Sequence, residues 1–304
     1  MTAPHLRLES PVSQPEAEPW SIKKVLLWAT DDFRKRGNNT ARLDAELLLG
    51  EALGLDRIKL IMESERPLAN AELVRYRELI KRRRSGEPIA YILGRREFFA
   101  LPFRVDRRVL IPRPDTEVLV EVALEATRER YMFGRQLDLC TGSGCVAVAF
   151  AKQRPTWHIT AVDLSPEAAA VARENAVRAG VVHHVAVLEG DLFEPLLPGE
   201  RFELITANAP YIPSGDIPGL EVDVREFEPH LALDGGADGL DIVQRIIQEA
   251  PRFLATEGVL ALEIGHDQAP RVASLLEAAG YQNVARTRDL AGFERVVSGH
   301  APSR

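Results

Sequence analysis

Strand-like and helix-like segments alternate from residue 136 to the end of the chain, and this pattern restricts the fold more than any other feature. The runs QLDLC, HITAVD, FELITAN and GVLALEI are typical of buried strands. VAVLEGD and two segments near 281–288 and 293–298 predict further strands. Alternating strands and helices predict a mostly parallel sheet with helices on both faces. Ligands of such sheets bind beyond the carboxyl ends of the strands.

The helices between these strands carry recognisable start and stop signals. Ser165 is predicted to cap the helix PEAAAVARENAVRAG, with Pro166 at its first position and Gly180 past its end. Another helix is predicted to begin at Asp115 or Thr116 and to run to about Arg130. The remaining predicted helices span 143–153, 238–252 and 268–280.

Residues 21–93 show helical spacing without a strand pattern and predict a small bundle. Ser21 is expected to cap the first helix, Thr40 and Asn70 precede the next two, and Gly54 ends the second. The residues expected on the inner faces are Val25, Leu26, Leu27, Phe33, Leu43, Leu47, Leu48, Ala52, Leu73, Tyr76 and Ile80.

The segment 94–113 is predicted to connect two domains. REFFALPFRV suggests a hairpin with Leu101-Pro102 at its turn, and IPRP is too proline-rich for a helix or a central strand. The expected organisation is a disordered arm over 1–20, a helical domain over 21–93, this hairpin linker, and a larger domain over 114–304.

Composition excludes several classes of protein. The chain of 304 residues is 45% apolar and 27% charged, as in ordinary globular proteins, and no apolar run is long enough for a membrane span. Its polar N-terminus does not resemble a signal peptide, so a cytoplasmic location is expected. Cys140 and Cys145 are predicted to be reduced thiols, and Cys145 to be a small core residue.

Charge is spread unevenly over the chain. The net charge of −7 argues against a general nucleic-acid binder. Residues 75–113 nevertheless hold twelve Lys or Arg and four Asp or Glu, a net +8. This segment is either a solvated helix face with loop charges or a surface that contacts a partner.

A glycine-containing turn follows the first predicted strand of the sheet, in LDLCTGSGCVAVAFA. Gly142 and Gly144 allow backbone amides to approach a ligand, and Asp163 ends the next strand 21 residues after Gly142. An acid there suits the two ribose hydroxyls of a nucleoside cofactor. Because Ala147 completes a dinucleotide fingerprint as well, this segment alone leaves NAD and S-adenosylmethionine both open.

The tetrapeptide Asn208-Ala209-Pro210-Tyr211 separates these two cofactors. It offers the Asn208 side-chain carbonyl, the backbone carbonyl of Ala209 and the Tyr211 ring, where a dehydrogenase would need an acid–base group. Two carbonyl acceptors can hold both N–H groups of a planar amide, and an aromatic ring can flank it. This arrangement indicates methyl transfer to nitrogen by positioning and aligned dipoles. By itself, the tetrapeptide is also compatible with an ordinary turn.

The chain resembles the release-factor glutamine methyltransferases of the HemK type over nearly all of its length after the N-terminal arm. The combination of IPRPDTE with an Asn-x-Pro-Tyr motif is specific. The resemblance rests on YILGRREFFALPFRVDRRVLIPRPDTEVLVE (91–121), LDLCTGSG (137–144), AVDLSPEA (161–168), GDLFEPL (190–196), NAPYIP (208–213), REFEPHLALDGGADGLDI (225–242), LEIGH (262–266) and RDLAGFERVV (288–297).

The resemblance implies an α/β fold: a Rossmann-like class I methyltransferase domain with a mostly parallel seven-stranded sheet, preceded by a small N-terminal helical bundle and a β-hairpin linker. It implies methylation of the N5 amide of the glutamine in the Gly-Gly-Gln motif of class-1 peptide chain release factors, with S-adenosylmethionine as cofactor and the helical domain helping to bind the release factor. No membrane contact and no direct nucleic-acid binding are expected.

The resemblance also implies roles for individual residues. The loop Cys140, Thr141, Gly142, Ser143, Gly144 would hold the methionine part of the cofactor, Asp163 the ribose, and Asp191 with Leu192 would border the adenine. Asn208, Ala209, Pro210 and Tyr211 would hold the glutamine amide, with Asn208 also bordering the cofactor. No metal site is expected. The chain departs from the usual family pattern at Cys140, where Gly is common, at Leu192, where an aromatic is frequent, and at Ala209, where Pro is usual.

Two other hypotheses remain at this point. The enzyme could methylate another planar nitrogen, such as a ribosomal-protein glutamine or a nucleic-acid base. Alternatively, the chain could be a non-catalytic module that retains the cofactor pocket. A base methylase would be expected to carry an additional basic recognition domain, and the acidic total charge argues against one.

Overall fold

A computed structural model of the chain describes residues 19–129 and 132–302. Of the arm predicted over 1–20, residues 1–18 therefore lie outside the described residues. The chain divides into two compact units, Met1–Ser85 and Gly86–Arg304. Within the described stretches, no helix combines the length and apolar character needed to cross a membrane.

The first unit is helical. Ser21 and Gly54 act at its helix ends as the sequence predicts, whereas Thr40 forms no side-chain cap and Asn70 is itself the first residue of a helix that follows Ala69. The Ser21 hydroxyl accepts a hydrogen bond from the amide of Lys24, and Gly54 adopts a left-handed conformation at the end of the second helix. The Tyr76 hydroxyl donates to the carbonyl of Ala45 across the bundle. The helices are α1 Ile22–Lys35, α2 Ala41–Leu53, α3 Arg57–Met62 and α4 Asn70–Arg84.

Two leucines predicted to face the core of this unit are exposed instead. Leu27 is 57% exposed and Leu43 is 40% exposed. The buried stripe of α1 runs through Ile22, Val25 and Leu26 at helical spacing, and Leu27 falls outside it because each residue turns the helix by about 100°. The prediction that Leu27 and Leu43 face inward was therefore wrong.

The second unit begins with helix α5 (Ile89–Leu93) and a hairpin of β1 (Arg95–Phe98) and β2 (Leu101–Arg104). Its turn is Phe99-Ala100, both with positive φ, so the predicted turn at Leu101-Pro102 was wrong. A two-residue hairpin turn needs this mirror-image backbone to match the strand twist. Pro102 is tolerated inside β2 because alternate amides of an edge strand need no partner.

A seven-stranded sheet forms the centre of this unit in the order β5-β4-β3-β6-β7-β9-β8. Strand β9 runs opposite to the other six and pairs antiparallel with both β7 and β8. The predicted mostly parallel seven-stranded sheet is confirmed. Its strands are β3 Arg135–Leu139, β4 His158–Asp163, β5 Val185–Glu189, β6 Phe202–Ala207, β7 Leu254–Glu263, β8 Gln282–Arg288 and β9 Glu294–His300.

Helices cover both faces of the sheet, over two apolar clusters. Alternating strand residues point to opposite clusters: Ile205 belongs to one and its neighbour Leu204 to the other. Cys145 lies in the second cluster, and both cysteines are free thiols, as predicted. The helices are α6 Glu117–Ala126, α7 Cys145–Gln153, α8 Pro166–Arg178, α9 Val222–Phe227, α10 Asp241–Glu249 and α11 Ala269–Ala278.

Helix α6 is shorter than predicted and starts differently. It ends at Ala126, not near Arg130, which lies outside the described residues. The Thr127 hydroxyl donates to the carbonyl of Ala123, a local bond that competes with helix propagation. Thr116 precedes α6 but does not cap it with its side chain. Helix α9 was not predicted from the sequence.

Candidate active site

Strand order places two of the predicted motifs side by side. From β3 the chain proceeds outward to β4 and β5, and it returns to pair β6 with the other side of β3. Leu139, the last residue of β3, lies opposite Ala207, the last residue of β6. The segments after these strands therefore open together at the carboxyl edge, where sheets of this kind bind ligands.

The loop after β3 is shaped by left-handed backbone conformations. Cys140, Gly142 and Gly144 have φ of 54°, 56° and 77°. A Cβ at Gly142 would meet open space, whereas one at Gly144 would lie 3.1 Å from the Cβ of Ala172. Glycine suits all three conformations, so Cys140 holds a strained backbone where the family usually has glycine.

A buried carboxyl group anchors this loop. Asp138 is 2% exposed and accepts hydrogen bonds from the hydroxyls of Thr141 at 2.6 Å and Thr206 at 2.7 Å. Burial raises the pKa of Asp138 to about 6, against the effect of these donors.

Asp163 ends β4 and faces the same loop. Its carboxylate accepts from the backbone amides of Gly142 at 2.7 Å and Ser165 at 2.9 Å. Burial raises its pKa, while both amides stabilise the ionised form. A carboxylate has about four acceptor positions, so two remain for hydroxyl donors of a ligand.

The far wall of the cleft is apolar and comes from the segment after β5. Leu192 has a φ of 51° and is 6% exposed, and the neighbouring Asp191 forms an ion pair with Arg245 at 2.8 Å. Val162, Leu164 and Ile242 complete this wall. Such a surface suits the flat face of an aromatic ring system.

On the other side of the cleft, a hydrogen bond orients the side-chain amide of Asn208. Its nitrogen donates to Thr116 Oγ1 at 3.2 Å, and Glu263 is its neighbour on the adjacent strand. Glu263 ends β7 one position after Leu262, which pairs with Ala207, so strand register brings it beside Asn208. With its nitrogen directed to Thr116, the amide presents its oxygen to the cleft.

Glu263 is fully enclosed by protein. It is 1% exposed, and its Oε2 has no hydrogen-bond partner within residues 19–129 and 132–302. Burial raises the pKa of Glu263 to about 7, and Thr116 and the nearby Arg295 counteract that rise. Arg295 itself pairs with Asp115 at 3.0 Å.

The backbone after Asn208 is held by glycine-rich chain from residues 235–239. A Cβ at Gly235 would lie 2.7 Å from the carbonyl oxygen of Pro210, and one at Gly239 would lie 2.3 Å from that of Tyr211. The side-chain amide of Gln268 donates to the same Tyr211 carbonyl at 2.9 Å. These contacts leave the loop little freedom to shift.

Most of the predicted site residues line a single cleft, which holds about 1240 Å³ of space, partly open to solvent. Gly144, Ala209 and Tyr211 lie behind this surface. Ala209 is 2% exposed within the core, and burial raises the pKa of Tyr211 to about 12. The predicted residues that line the cleft are Cys140, Thr141, Gly142, Ser143, Asp163, Asp191, Leu192, Asn208 and Pro210.

Comparison with known proteins identifies the family. Residues 24–94 match a model described as the PrmC N-terminal domain, and residues 137–235 match a methyltransferase domain. The chain is 45% identical over 282 residues to the release factor glutamine methyltransferase of Geobacter sulfurreducens, covering 93% of this chain and 97% of that protein. The chain belongs to the release factor glutamine methyltransferase family.

Another relative agrees with this assignment, and one solved structure shares the fold. The release factor glutamine methyltransferase of Vibrio cholerae is 42% identical over 92% of this chain and 96% of its own length. The catalytic domain of hMettl16, solved in complex with an RNA hairpin, superimposes with a TM-score of 0.55 over 76% of this chain and 81% of that one. At 15% identity, this likeness shows the class I methyltransferase fold alone.

For this family member, sequence reasoning missed the residues that support the motif. Thr116 was predicted only as a helix cap, and Glu263 and Gln268 were given no role. Arg113, which lines the cleft, forms an ion pair with the buried Glu228, and its Nη2 donates to both carboxylate oxygens at 2.8 Å. Burial raises the pKa of Glu228 to about 7 although Arg113 lowers it. For all of these residues except Gln268, the usable signal was their presence in the motifs IPRPDTE, LEIGH and REFEPH.

Residues 75–113, which carry a net charge of +8, do not form a surface of unpaired basic side chains. Within the described residues, several of its arginines pair with acids of their own unit: Arg83 with Asp44, Arg84 with Asp32, Arg104 with Glu174, Arg108 with Asp106 and Arg113 with Glu228. These pairs favour the interpretation of solvated helix and loop charges for this part of the methyltransferase.

Proposed function

We propose that this enzyme transfers a methyl group from S-adenosylmethionine to the N5 amide nitrogen of the glutamine in the Gly-Gly-Gln motif of class-1 peptide chain release factors. One observation carries the proposal. The Asn208 amide donates to Thr116, which directs its oxygen toward the cleft, beside the loop that follows β3. A fixed carbonyl acceptor at that place is suited to holding a planar amide donor, and it is less suited to acid–base chemistry.

The cofactor end of the cleft fits S-adenosylmethionine. Asp163 retains acceptor capacity for the two ribose hydroxyls, and Leu192 with Ile242 provides an apolar wall for adenine. Gly142 leaves open space where a Cβ would intrude, and Cys140 to Ser143 line the same surface. When bound, this cofactor would supply an electrophilic methyl group.

The acceptor end positions the nitrogen that receives the methyl group. Asn208 Oδ1 and the Ala209 carbonyl would accept the two N–H groups of the glutamine amide. Holding both hydrogens fixes the plane of the amide and directs its lone pair toward the cofactor side, which is catalysis by orientation. Two preorganised acceptors also stabilise the positive charge that develops on nitrogen, so a strong base is unnecessary.

The helical unit offers a surface for the protein substrate. Leu27 and Ile61 are 57% and 69% exposed and line the same groove, with Arg42 and Arg57 at its edge. Neighbouring Met62 is 79% exposed. Apolar side chains gathered around a groove are typical of contact surfaces for proteins, and we assign this one to the release factor. The helical unit would thereby serve as the substrate-recognition domain.

The test is mass spectrometry of a class-1 release factor after incubation with the enzyme and S-adenosylmethionine. A single added methyl group on the Gly-Gly-Gln glutamine, absent when that residue is changed to Glu, is the expected result. Methylation of a ribosomal-protein glutamine or a nucleic-acid base instead would replace the proposed substrate. Cofactor binding without transfer to any of them would indicate a non-catalytic module.

A further inference from the structure

We propose that Asn175 of helix α8 is a positioning residue for the cofactor loop, and that it fixes the peptide group between Ser143 and Gly144 to the hairpin strand β2. The inference rests on the proposed cofactor, because it concerns how the loop after β3 keeps the shape that receives it. Asn175 is 2% exposed and lies behind the cleft surface, so it would not touch the cofactor itself.

The side-chain amide of Asn175 forms three hydrogen bonds, all to main-chain atoms. Its oxygen accepts from the backbone amide of Arg104 at 2.8 Å. Its nitrogen donates to the carbonyls of Arg104 at 3.0 Å and Ser143 at 2.8 Å. The two bonds to Arg104 pair an acceptor with a donor and a donor with an acceptor, so only one orientation of the amide satisfies both. The other N–H is thereby directed at Ser143.

The peptide group between Ser143 and Gly144 is held on both sides. Its carbonyl accepts from Asn175, and its N–H donates to the carbonyl of Thr141 at 2.8 Å. Glycine adopts positive and negative φ about equally readily, so the φ of 77° at Gly144 does not by itself fix this peptide. Rotation of the peptide by half a turn would break both hydrogen bonds and turn the Ser143 carbonyl toward that of Thr141. Asn175 therefore supplies a restraint that glycine lacks.

This peptide ends a short loop whose earlier residues face the cleft. Gly142 donates its amide to Asp163 at 2.7 Å, and the Thr141 hydroxyl donates to Asp138 at 2.6 Å. Thr141, Gly142 and Ser143 all line the cleft. A changed peptide at the end of the loop would redirect these groups. A loop held in one shape before binding loses less conformational freedom when the cofactor binds, which raises affinity.

The same contacts give the hairpin a role beyond connecting two domains. Arg104 ends β2, and Phe103 beside it is 1% exposed within the apolar cluster that α7 also joins. The hairpin backbone is therefore a firm base for Asn175. Ala172 lies three residues before Asn175, on the same face of α8, and a Cβ at Gly144 would lie 3.1 Å from its Cβ. Helix α8 thus contacts the loop at two places.

The first experiment measures hydrogen exchange by NMR in the cofactor-free wild-type enzyme. The backbone amide of Gly144 and the side-chain amide of Asn175 should exchange at least about a hundredfold more slowly than in an unfolded chain, because both are hydrogen-bonded inside the protein. Exchange of the Gly144 amide at the rate of an unfolded chain would show that the peptide is not fixed before binding, and would overturn the proposal.

The second experiment removes the side-chain amide in two ways. Asn175→Leu keeps a similar volume but loses all three bonds, whereas Asn175→Asp keeps the oxygen that accepts from Arg104 and loses both donors. In each variant, exchange of the Gly144 amide should accelerate at least tenfold, and affinity for S-adenosylmethionine, measured by calorimetry, should fall on the order of tenfold. KM for release factor at saturating cofactor should change little. Unchanged Gly144 exchange or unchanged affinity in either variant refutes the role.

Two control variants separate this role from a general loss of stability. Glu174→Gln removes an ion pair with Arg104 between the same two elements, and Thr127→Val removes a buried hydroxyl that donates to a main-chain carbonyl of α6. Both should keep cofactor affinity and slow exchange of Gly144. Equal acceleration in Thr127→Val would mean that this exchange reports global stability, and would count against Asn175. If the wild type binds no S-adenosylmethionine, the proposed cofactor fails, while Gly144 exchange in Asn175→Leu still decides the inference.

Discussion

The two ends of the cleft are built in different ways, one by backbone conformation and the other by side-chain contacts. At the cofactor end, backbone conformation determines the shape of the site. Cys140, Gly142 and Gly144 all have positive φ, and backbone amides fix Asp163. At the acceptor end, Thr116 from a separate segment orients the Asn208 side chain, and the buried Glu263 lies on the neighbouring strand. The first end should therefore be sensitive to added atoms, and the second to lost polar groups.

Each end also rests on one buried carboxyl group, and the two groups differ in how well they are satisfied. Asp138 receives two hydroxyl donors, and its pKa rises to about 6. Glu263 has one oxygen without a partner among the described residues, and its pKa rises to about 7. The acceptor end thus retains an ionisable group that is costly to keep charged, which is typical of functional sites.

The largest effect expected is that of Asn208→Ala on transfer. Removing a preorganised acceptor from the nitrogen should lower the single-turnover rate by about 10²- to 10³-fold. Cofactor affinity, measured by calorimetry, should fall far less, because the other cofactor contacts remain. Equal losses of rate and affinity would show that Asn208 belongs mainly to the cofactor end and would break the comparison.

The next effect is on stability and its dependence on pH. The pKa of Glu263 rises from 4.5 to about 7 on folding, so its protonated form favours the folded state. The associated stability is present in full below pH 4.5 and is lost as the pH rises through 7. Relative to wild type, Glu263→Gln should gain up to about 3 kcal/mol of unfolding free energy between pH 4.5 and pH 8.

Urea unfolding of both proteins at several pH values measures this difference. Glu200→Gln is a suitable control at the opposite edge of the sheet, because Arg135 holds the pKa of Glu200 below its usual range. Its stability difference from wild type should change with pH in the opposite direction. A pH-independent difference for Glu263→Gln would mean that this carboxyl group is not destabilised by burial.

The comparison also explains which parts of the site the sequence could predict. The cofactor end is continuous in sequence, and the glycine spacing after a strand is visible in LDLCTGSG. Asn208 is visible as well, but its supports come from segments 92 and 55 residues away in the chain. Only the pairing of Ala207 with Leu262 puts Glu263 beside Asn208, and strand pairing is a tertiary property.

The fold was predictable for a related reason. Alternating strands and helices determine a parallel sheet through local periodicity, and the Ser165 cap and Gly180 end depend on near neighbours alone. The prediction misplaced the hairpin turn because Leu101-Pro102 has the composition of a turn. In the structure, Phe99 and Ala100 adopt left-handed conformations, and packing of the flanking residues offsets their cost. Phe98 and Phe103, which flank the turn, are each 1% exposed.

A smaller effect tests the cofactor end through two glycines. Gly142→Ala and Gly144→Ala both place a side chain at positive φ, which costs roughly 1–2 kcal/mol. A Cβ at Gly142 enters the open cleft, so this variant should lose cofactor affinity more than stability. A Cβ at Gly144 meets Ala172 at 3.1 Å, so that variant should lose stability more than affinity. Calorimetry and thermal unfolding of both variants measure the contrast, and identical profiles would contradict it.

The smallest effect expected is that of Ala209→Pro, which restores the usual family residue. The acceptor contributed at this position is a backbone carbonyl, which alanine supplies as well as proline. Gln268, Gly235 and Gly239 already restrain the following backbone, so added rigidity should change stability by roughly 0.4–1 kcal/mol and the transfer rate by a few-fold. Single-turnover kinetics measure the rate. A gain of orders of magnitude would mean that the loop is not held by these contacts, and that backbone rigidity limits the acceptor end as it does the cofactor end.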